Sequence, residues 1–388
     1  MADETVFTPD VEFVRSLKEA GAETMKKCYQ CATCSVVCEL STEKSPFPRR
    51  EMLMAQWGLK EELVKDPNIW LCHNCNDCTK YCPRGARPGD VLGVLRQTVI
   101  MENAFPKFMG RIGSDHNYLV FAFGLPIMLF LVILGAFGHL HIPDGPVVFD
   151  HFFPVHLIDP IFISAAIISL LFFTVSIKNF WDGMNVNPYR LMANGRVIPY
   201  LYETLKEMIL HTKFDKCGAN KDRTLAHRLV VFGFIGLFIT TNVAVFNMYV
   251  LGWHTPYHID DPHILKLFGS EALVGLYYAG FKLVGNLSAL ALLAGAIIIF
   301  TNRTKPKGFV SVSSPFDWVF AIVILLLAIT GILAEFLRVV DIAALAYPVY
   351  FLHLVFVFFI IAYLPYSKLA HIVYRTTAIT YAKLAKVE

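Results

Sequence analysis

Charge is scarce in this sequence: only 17% of its 388 residues are Asp, Glu, Lys or Arg, against 55% hydrophobic. A chain so poor in charge is not one ordinary soluble domain, and part of it is expected in lipid. The net charge of +3 is too small and too evenly spread to suggest a nucleic-acid partner. Glycine-rich runs in a strand–helix setting are missing, which excludes the usual dinucleotide and flavin fingerprints. Also missing, between Met1 and Met25, is a charged opening followed by a short apolar stretch; no signal peptide is expected, and the N-terminal part is placed in the cytoplasm. Beyond residue 110 cysteine all but disappears, with Cys217 alone as an expected loop thiol.

The other eight cysteines form two runs. Cys28, Cys31, Cys34 and Cys38 follow C-x2-C-x2-C-x3-C; Cys72, Cys75, Cys78 and Cys82 repeat it, with Pro83 completing the second copy and Glu39 in its place in the first. This is the spacing of two-cluster ferredoxins. Three thiolates on one tight loop reach three corners of an iron–sulfur cube, while the displaced fourth points to a second cube. Crossed ligation is therefore expected. One [4Fe–4S] cluster takes Cys28, Cys31, Cys34 and Cys82, the other Cys72, Cys75, Cys78 and Cys38. A pair of four-cysteine zinc sites is the alternative, since zinc also takes four thiolates. Reduced cysteines suit a cytoplasmic setting.

Between the runs, the spacing of Met52, Leu53 and Gln56 predicts a helix over Arg49 to Trp57, with a second over Lys60 to Lys65. Helical spacers without strand-rich segments predict an α-helical ferredoxin domain over residues 1–110. The spacer closing on Trp70-Leu71-Cys72 resembles the C subunits of heterodisulfide reductases and the cluster-bearing domain of succinate dehydrogenase iron–sulfur subunits.

Residues 111–388 hold six apolar runs, at about 118–138, 158–177, 229–251, 274–300, 318–337 and 343–364, each near the ~20 residues that span a bilayer core. The last helix is expected to continue through Pro365 to 371, with a kink at the proline. Arg190, Arg196, Lys206, Lys213, Lys216, Lys221, Arg223 and Arg228 crowd the loop 179–228, and Arg303, Lys305 and Lys307 the next. The segment 139–157 has no Lys or Arg, and 252–270 only Lys266. Both termini are therefore expected on the cytoplasmic side of a cell inner membrane.

Two imidazoles facing each other across a bundle hold a b-type haem in a membrane. Along one continuous helix, His353 and His371 would lie about 27 Å apart on one face, as two stacked haems require. His227 is the expected partner of His371; its bland reading is an interfacial histidine beside Arg228. For His353 the first choice is His156, with His151, His254 and His258 behind it. The fold class is thus all-α, an α-helical two-cluster ferredoxin domain followed by a six-helix transmembrane haem-binding bundle.

Leu352-His353-Leu354, and Leu364-Pro365-Tyr366-Ser367-Lys368-Leu369-Ala370-His371 after it, resemble the last helix of the nitrate reductase γ subunit. His227 followed by Gly233 resembles that family's inner-haem ligand, but Leu237 stands where the family has a second histidine. Without another ligand for His353 the protein holds one haem. Lys282 resembles the lysine near that family's quinol and is the expected quinone contact, with Glu271, Asn286, Glu335 and Arg338 as further polar groups in the outer half; snorkelling is the alternative for Lys282.

Taken whole, the order of parts resembles the C subunits of quinone-interacting membrane-bound oxidoreductases of sulfate-reducing organisms, a heterodisulfide reductase C-like domain fused to an E-like one. The resemblance implies menaquinone as substrate, flavin-containing soluble partner subunits, and delivery of electrons toward adenylylsulfate reductase. No cysteines are adjacent, so disulfide-reducing chemistry is expected elsewhere and this chain acts as a conduit. Competing expectations are the membrane subunit of a heterodisulfide or sulfite-linked oxidoreductase, and a non-redox transporter with a zinc-bound head.

Overall fold

The computed structural model describes residues 8–43, 45–114, 118–186, 196–210, 223–254, 257–304 and 314–385. Cys217 and the basic residues Arg190, Lys213, Lys216, Lys221, Lys305 and Lys307 lie outside them. The described residues are helical, with no strand among them. The N-terminal part comprises α1 (Val11–Leu17), α2 (Thr33–Val36), α3 (Arg49–Gln56), α4 (Lys60–Val64), α5 (Asn68–Leu71), α6 (Asp77–Lys80), α7 (Pro88–Asn103) and α8 (Lys107–Ser114). The helices expected over 49–57 and 60–65 are α3 and α4.

The two cysteine runs share a backbone as well as a spacing. Gln30 and Ala32 in the first, like Asn74 and Asn76 in the second, have positive φ (60°, 66°, 56° and 65°). These left-handed residues curl each loop tightly before a short helix, α2 or α6, and the two helices pack together. Asparagine tolerates that conformation; glutamine and alanine hold it against their preference.

Where α7 leaves the second loop, the Gly89 N–H donates to Thr79 Oγ1 at 2.9 Å. A Cβ at Gly89 would lie 2.0 Å from Asn76 Oδ1 and 2.8 Å from Thr79 Oγ1. Gly89→Ala is therefore expected to destabilise the domain by about 1–3 kcal/mol, the cost of overpacking. A lower thermal midpoint together with lower non-haem iron per chain is the expected result.

A buried carboxyl pair sits under α3. Glu51 and Asp66 are both fully buried, with Arg50 Nη2 3.4 Å from Asp66 Oδ2 and Arg50 Nε 3.8 Å from Glu51 Oε1. Burial, and then the charge of Asp66, hold Glu51 well above the usual carboxylate range; burial also raises Asp66, against the pull of Arg50. The folded state keeps a proton that the unfolded chain releases above about pH 4.3. Its stabilising contribution is complete below that pH and fades as pH rises through the folded value. Thermal scans between about pH 5 and 8 should show stability declining with pH, and Glu51→Gln should flatten that decline.

The second part adds α9 (Leu119–Ala136), α10 (Phe149–Phe152), α11 (Val155–Asn185), α12 (Val197–Leu210), α13 (Arg223–Tyr249), α14 (Pro262–Phe268), α15 (Glu271–Thr304), α16 (Pro315–Val339), α17 (Ala343–Ala362) and α18 (His371–Leu384). Six of these, α9, α11, α13, α15, α16 and α17, are long and apolar enough to cross a membrane, and the six expected apolar runs fall on them in turn.

The sixth differs. The helix expected over 343–371 ends at Ala362, and two 3-10 turns, Leu364–Tyr366 and Lys368–Ala370, precede α18. Pro365 cannot donate to the helical ladder, and Ser367 is extended with its hydroxyl accepting from the Leu369 N–H at 3.2 Å. His371 opens a new helix, so the phase relation expected between it and His353 does not hold. The boundary expected at 110 falls inside α8.

α13 and α15 pack closely through glycine. A Cβ at Gly233 would lie 2.8 Å from Leu292 N, and one at Gly295 2.9 Å from Ala226 O. The N-terminal core does not stop at the membrane part: Trp70, Leu95 and Val99 join Phe173, Phe180 and Met184 of α11 and Tyr374, Ala378 and Tyr381 of α18 in one buried cluster. That shared core brings the cysteine loops to the end of the bundle where His227 and His371 lie.

Candidate functional site

The eight cysteines of the two runs are not joined in disulfides and differ in exposure: Cys34, Cys72 and Cys78 are buried, while Cys31 is exposed. Burial, reinforced by the neighbouring thiols of Cys28, Cys31 and Cys82, pushes Cys34 up to about 11. Burial raises Cys38 to about 11 as well, and raises Cys78, which has Cys72 and Cys38 beside it. The neighbours of Cys34 thus include Cys82 from the other run, and those of Cys78 include Cys38. A hydrogen bond with Thr33 lowers the exposed Cys31. Thiolate ligands must be deprotonated, so a metal centre bound here would displace protons. Backbone donors already point at sulfur: Asn74 N lies 3.3 Å from Cys72 Sγ and Ala86 N 3.4 Å from Cys82 Sγ. Among the described residues no three His, Cys, Asp or Glu side chains converge tightly enough for a single metal ion.

His227 and His371, 144 residues apart in the sequence, face each other with ring centroids 6.5 Å apart and planes at 75°. The Nδ1 of His371 bonds the carbonyl of Lys368, which fixes the ring and leaves Nε2 as its other nitrogen. Lys368 is itself tied to Asp317, whose carboxylate caps α16 together with Ser314. The turn that breaks the expected helix is thus what holds the His371 ring.

Both histidine-bearing helices reach the second cysteine loop. On α18, Arg375 Nη2 donates to His73 Nδ1 at 2.8 Å; at the start of α13, Arg223 Nη2 donates to Asn74 O at 3.4 Å. Trp70 stacks on Tyr374, centroids 5.5 Å apart and planes at 20°. From α7, Arg96 donates to the carbonyls of Ile69 (3.1 Å) and Cys72 (2.9 Å). Sequence reasoning missed this junction, because the hydropathy search stopped before α18 and its only trace was an aromatic and basic pair, Tyr374-Arg375, following His371.

His353 lies inside α17 against α16. Its Nδ1 is 3.1 Å from Thr330 Oγ1, a hydroxyl that donates to Leu326 O at 2.7 Å and so accepts from the imidazole. Gly331 makes room for the ring: a Cβ there would lie 2.8 Å from His353 Cε1. The structure does not bring His156 to it. His156 is exposed on the second residue of α11, and the side of α17 that meets α11 carries Leu354, Val355 and Phe358. A face one residue round the helix from His353 points elsewhere. His151 and His254 are exposed too, and His258 offers its carbonyl to Trp253 Nε1 at 3.0 Å.

Three of the expected polar groups do meet. Lys282 of α15 pairs with Glu335 of α16, whose carboxylate also takes Arg338 Nη2 at 2.9 Å and Nε at 3.1 Å. Each side chain is about one-third exposed, at the end of the bundle away from the cysteines. Glu271 and Asn286 lie on α15 but outside this group.

Residues 24–86 match the 4Fe-4S dicluster domain family. The chain is 36% identical over 88 residues to the C subunit of the H(2):CoB-CoM heterodisulfide,ferredoxin reductase of Methanothermobacter marburgensis, covering 22% of this chain and 47% of that one. It is 36% identical over 89 residues to an Archaeoglobus profundus protein described as like the heterodisulfide reductase C subunit (23% and 47%). To the C subunit of the ferredoxin:CoB-CoM heterodisulfide reductase of Methanosarcina mazei it is 30% identical over 89 residues (23% and 54%). The chain thus spans about half the length of the curated relatives it matches. No solved structure matches it. The N-terminal part is a 4Fe–4S dicluster domain like that of heterodisulfide reductase C subunits, joined in this chain to six helices long and apolar enough to cross a membrane.

Proposed function

We propose that this chain is the membrane anchor and electron-transfer subunit of a quinone-interacting oxidoreductase, linking menaquinone through b-type haem and two [4Fe–4S] clusters to flavin-containing soluble subunits. One observation carries the reading: the helices that bear His227 and His371 both bond to the loop that bears Cys72, Cys75 and Cys78. Cys28, Cys31, Cys34 and Cys82 would hold one cluster, and Cys72, Cys75, Cys78 and Cys38 the other. His227 and His371 would hold the inner haem. The two facing imidazoles, ring centroids 6.5 Å apart, are what supports that assignment. His353, braced by Thr330, would hold the outer haem if a second ligand reaches it.

Bound at these sites, the clusters and haems supply single-electron carriers between a two-electron quinol and a soluble acceptor. The protein's own part is to orient and insulate. Lys368 fixes the His371 ring, Arg96 and Arg375 fix the Cys72 loop, and Lys282, Glu335 and Arg338 offer the charged groups that a quinol head would meet. In a sulfate reducer the electrons would go on to adenylylsulfate reductase. The likeness to heterodisulfide reductase C subunits favours a second reading, a membrane subunit of a heterodisulfide reductase-type complex. Identifying the soluble subunits that copurify separates the two.

The primary test is a dithionite-reduced minus oxidised spectrum with iron and haem quantification. Eight non-haem iron atoms per chain and b-type haem are expected, two haems if His353 finds its partner and one if it does not. Zinc in place of iron, with no haem band, overturns the proposal.

A further inference from the structure

The two cysteine runs differ in what surrounds them. The Cys72 loop is covered by α18 and α13, through His73, Asn74 and Trp70. The Cys28 run opens outward: Cys31 is exposed, and Tyr29 and Arg84 line the small pocket formed by Cys28, Cys31, Cys34 and Cys82. Close to these cysteines in the chain are three exposed apolar or aromatic side chains, Tyr29 (69%), Val36 (84%) and Tyr81 (54%). Such groups on a soluble surface, bordered by charge, mark an interaction site.

The border is basic. Lys26, Lys27, Lys80 and Arg84 are all exposed. Arg84 lies over the Tyr29 ring at 4.4 Å and Lys80 over Tyr81 at 5.4 Å, so each of these rings carries a cation on its face. Arg49, behind them, donates to Gln30 Oε1 at 3.2 Å within the first loop. Glu23, Glu39 and Glu43 are the exposed acidic residues within five positions of the run, against the four cations.

We propose that the Cys28–Cys34 and Cys82 face docks a soluble redox protein through an acidic patch surrounding that protein's own redox centre. The proposal rests on the conduit reading above and names the face and the charge of the partner. Basic side chains steer an acidic partner and set its orientation, while Tyr29, Val36 and Tyr81 exclude water from the contact. The membrane side is already taken by the bundle, so a soluble partner reaches the cysteine domain from this pole.

The test uses the complex purified from native membranes in mild detergent with its soluble subunits attached. In the wild type those subunits dissociate as salt rises, because screening weakens a charge-steered contact. The variant K26E/K27E/K80E is expected to copurify with at least tenfold less of them at low salt, with iron and haem per chain unchanged. Val36→Asp, at a side chain too exposed to matter for folding, is expected to weaken retention without altering iron content. Variants that keep their subunits with the wild-type salt profile overturn the docking face. Wild-type chain without non-haem iron overturns the conduit reading, and this proposal with it.

Discussion

His371→Ala is expected to remove one b-type haem per chain and reduce quinol-driven reduction of the iron–sulfur clusters to background, while non-haem iron stays at its wild-type level. The expectation separates the two halves of the molecule. His371 stands at the first residue of α18, after a turn held by the bond of Lys368 to Asp317, and its ring is oriented by the Lys368 carbonyl. Truncating it removes one of two facing imidazoles but leaves the turn, the helix and the packing of Tyr374 intact. His227→Ala should give the same spectrum, since a b-type haem held by two imidazoles needs both. Pyridine haemochrome quantification and acid-labile iron, measured on one preparation, decide it. Full haem content in His371→Ala would remove this pair from the proposed wire.

Much of the cysteine domain was legible because its chemistry is local. Spacing within each run is set by covalent reach, and the repeat at Cys72 announced itself at the same offsets. The shared left-handed turns were only half visible, since Asn74 and Asn76 favour such φ values while Gln30 and Ala32 do not. In the membrane part, hydropathy found the helices but not their azimuths. His156 lies at the expected end of α11, yet which side of α17 faces it is set by the packing of Leu157, Ile161 and Phe162 against Leu354 and Phe358. No periodicity reveals such a choice between long apolar helices. The break before His371 was signalled by Pro365, but the expected phase with His353 argued for continuity, and the local bond of Ser367 decided otherwise. Lys282 and Glu335 were each visible as charges in lipid, their pairing across 53 residues was not.

Trp70→Ala is expected to destabilise the chain by about 3–5 kcal/mol, the range for emptying a buried aromatic site. That is a large share of the 5–15 kcal/mol typical of a folded domain. Trp70 is 2% exposed and stacks on Tyr374, which in turn packs against Phe180 (5.2 Å) and Phe173 (6.2 Å) of α11. The cavity would open between the Cys72 loop and the helix that begins at His371, inside the buried cluster shared by the two parts. Among the described residues neither Trp70 Nε1 nor the Tyr374 hydroxyl has a hydrogen-bond partner. The stack therefore works through shape and area, so Trp70→Phe should recover much of the loss and Tyr374→Phe should cost little. Thermal unfolding ranks the three variants, and protease sensitivity between α7 and α9 reports whether the junction has loosened. If iron and haem contents hold in Trp70→Ala while quinol-driven cluster reduction slows, the defect lies in the junction and in neither site. Equal slowing in Trp70→Phe would assign the effect to the indole itself, because the aromatic packing is then retained.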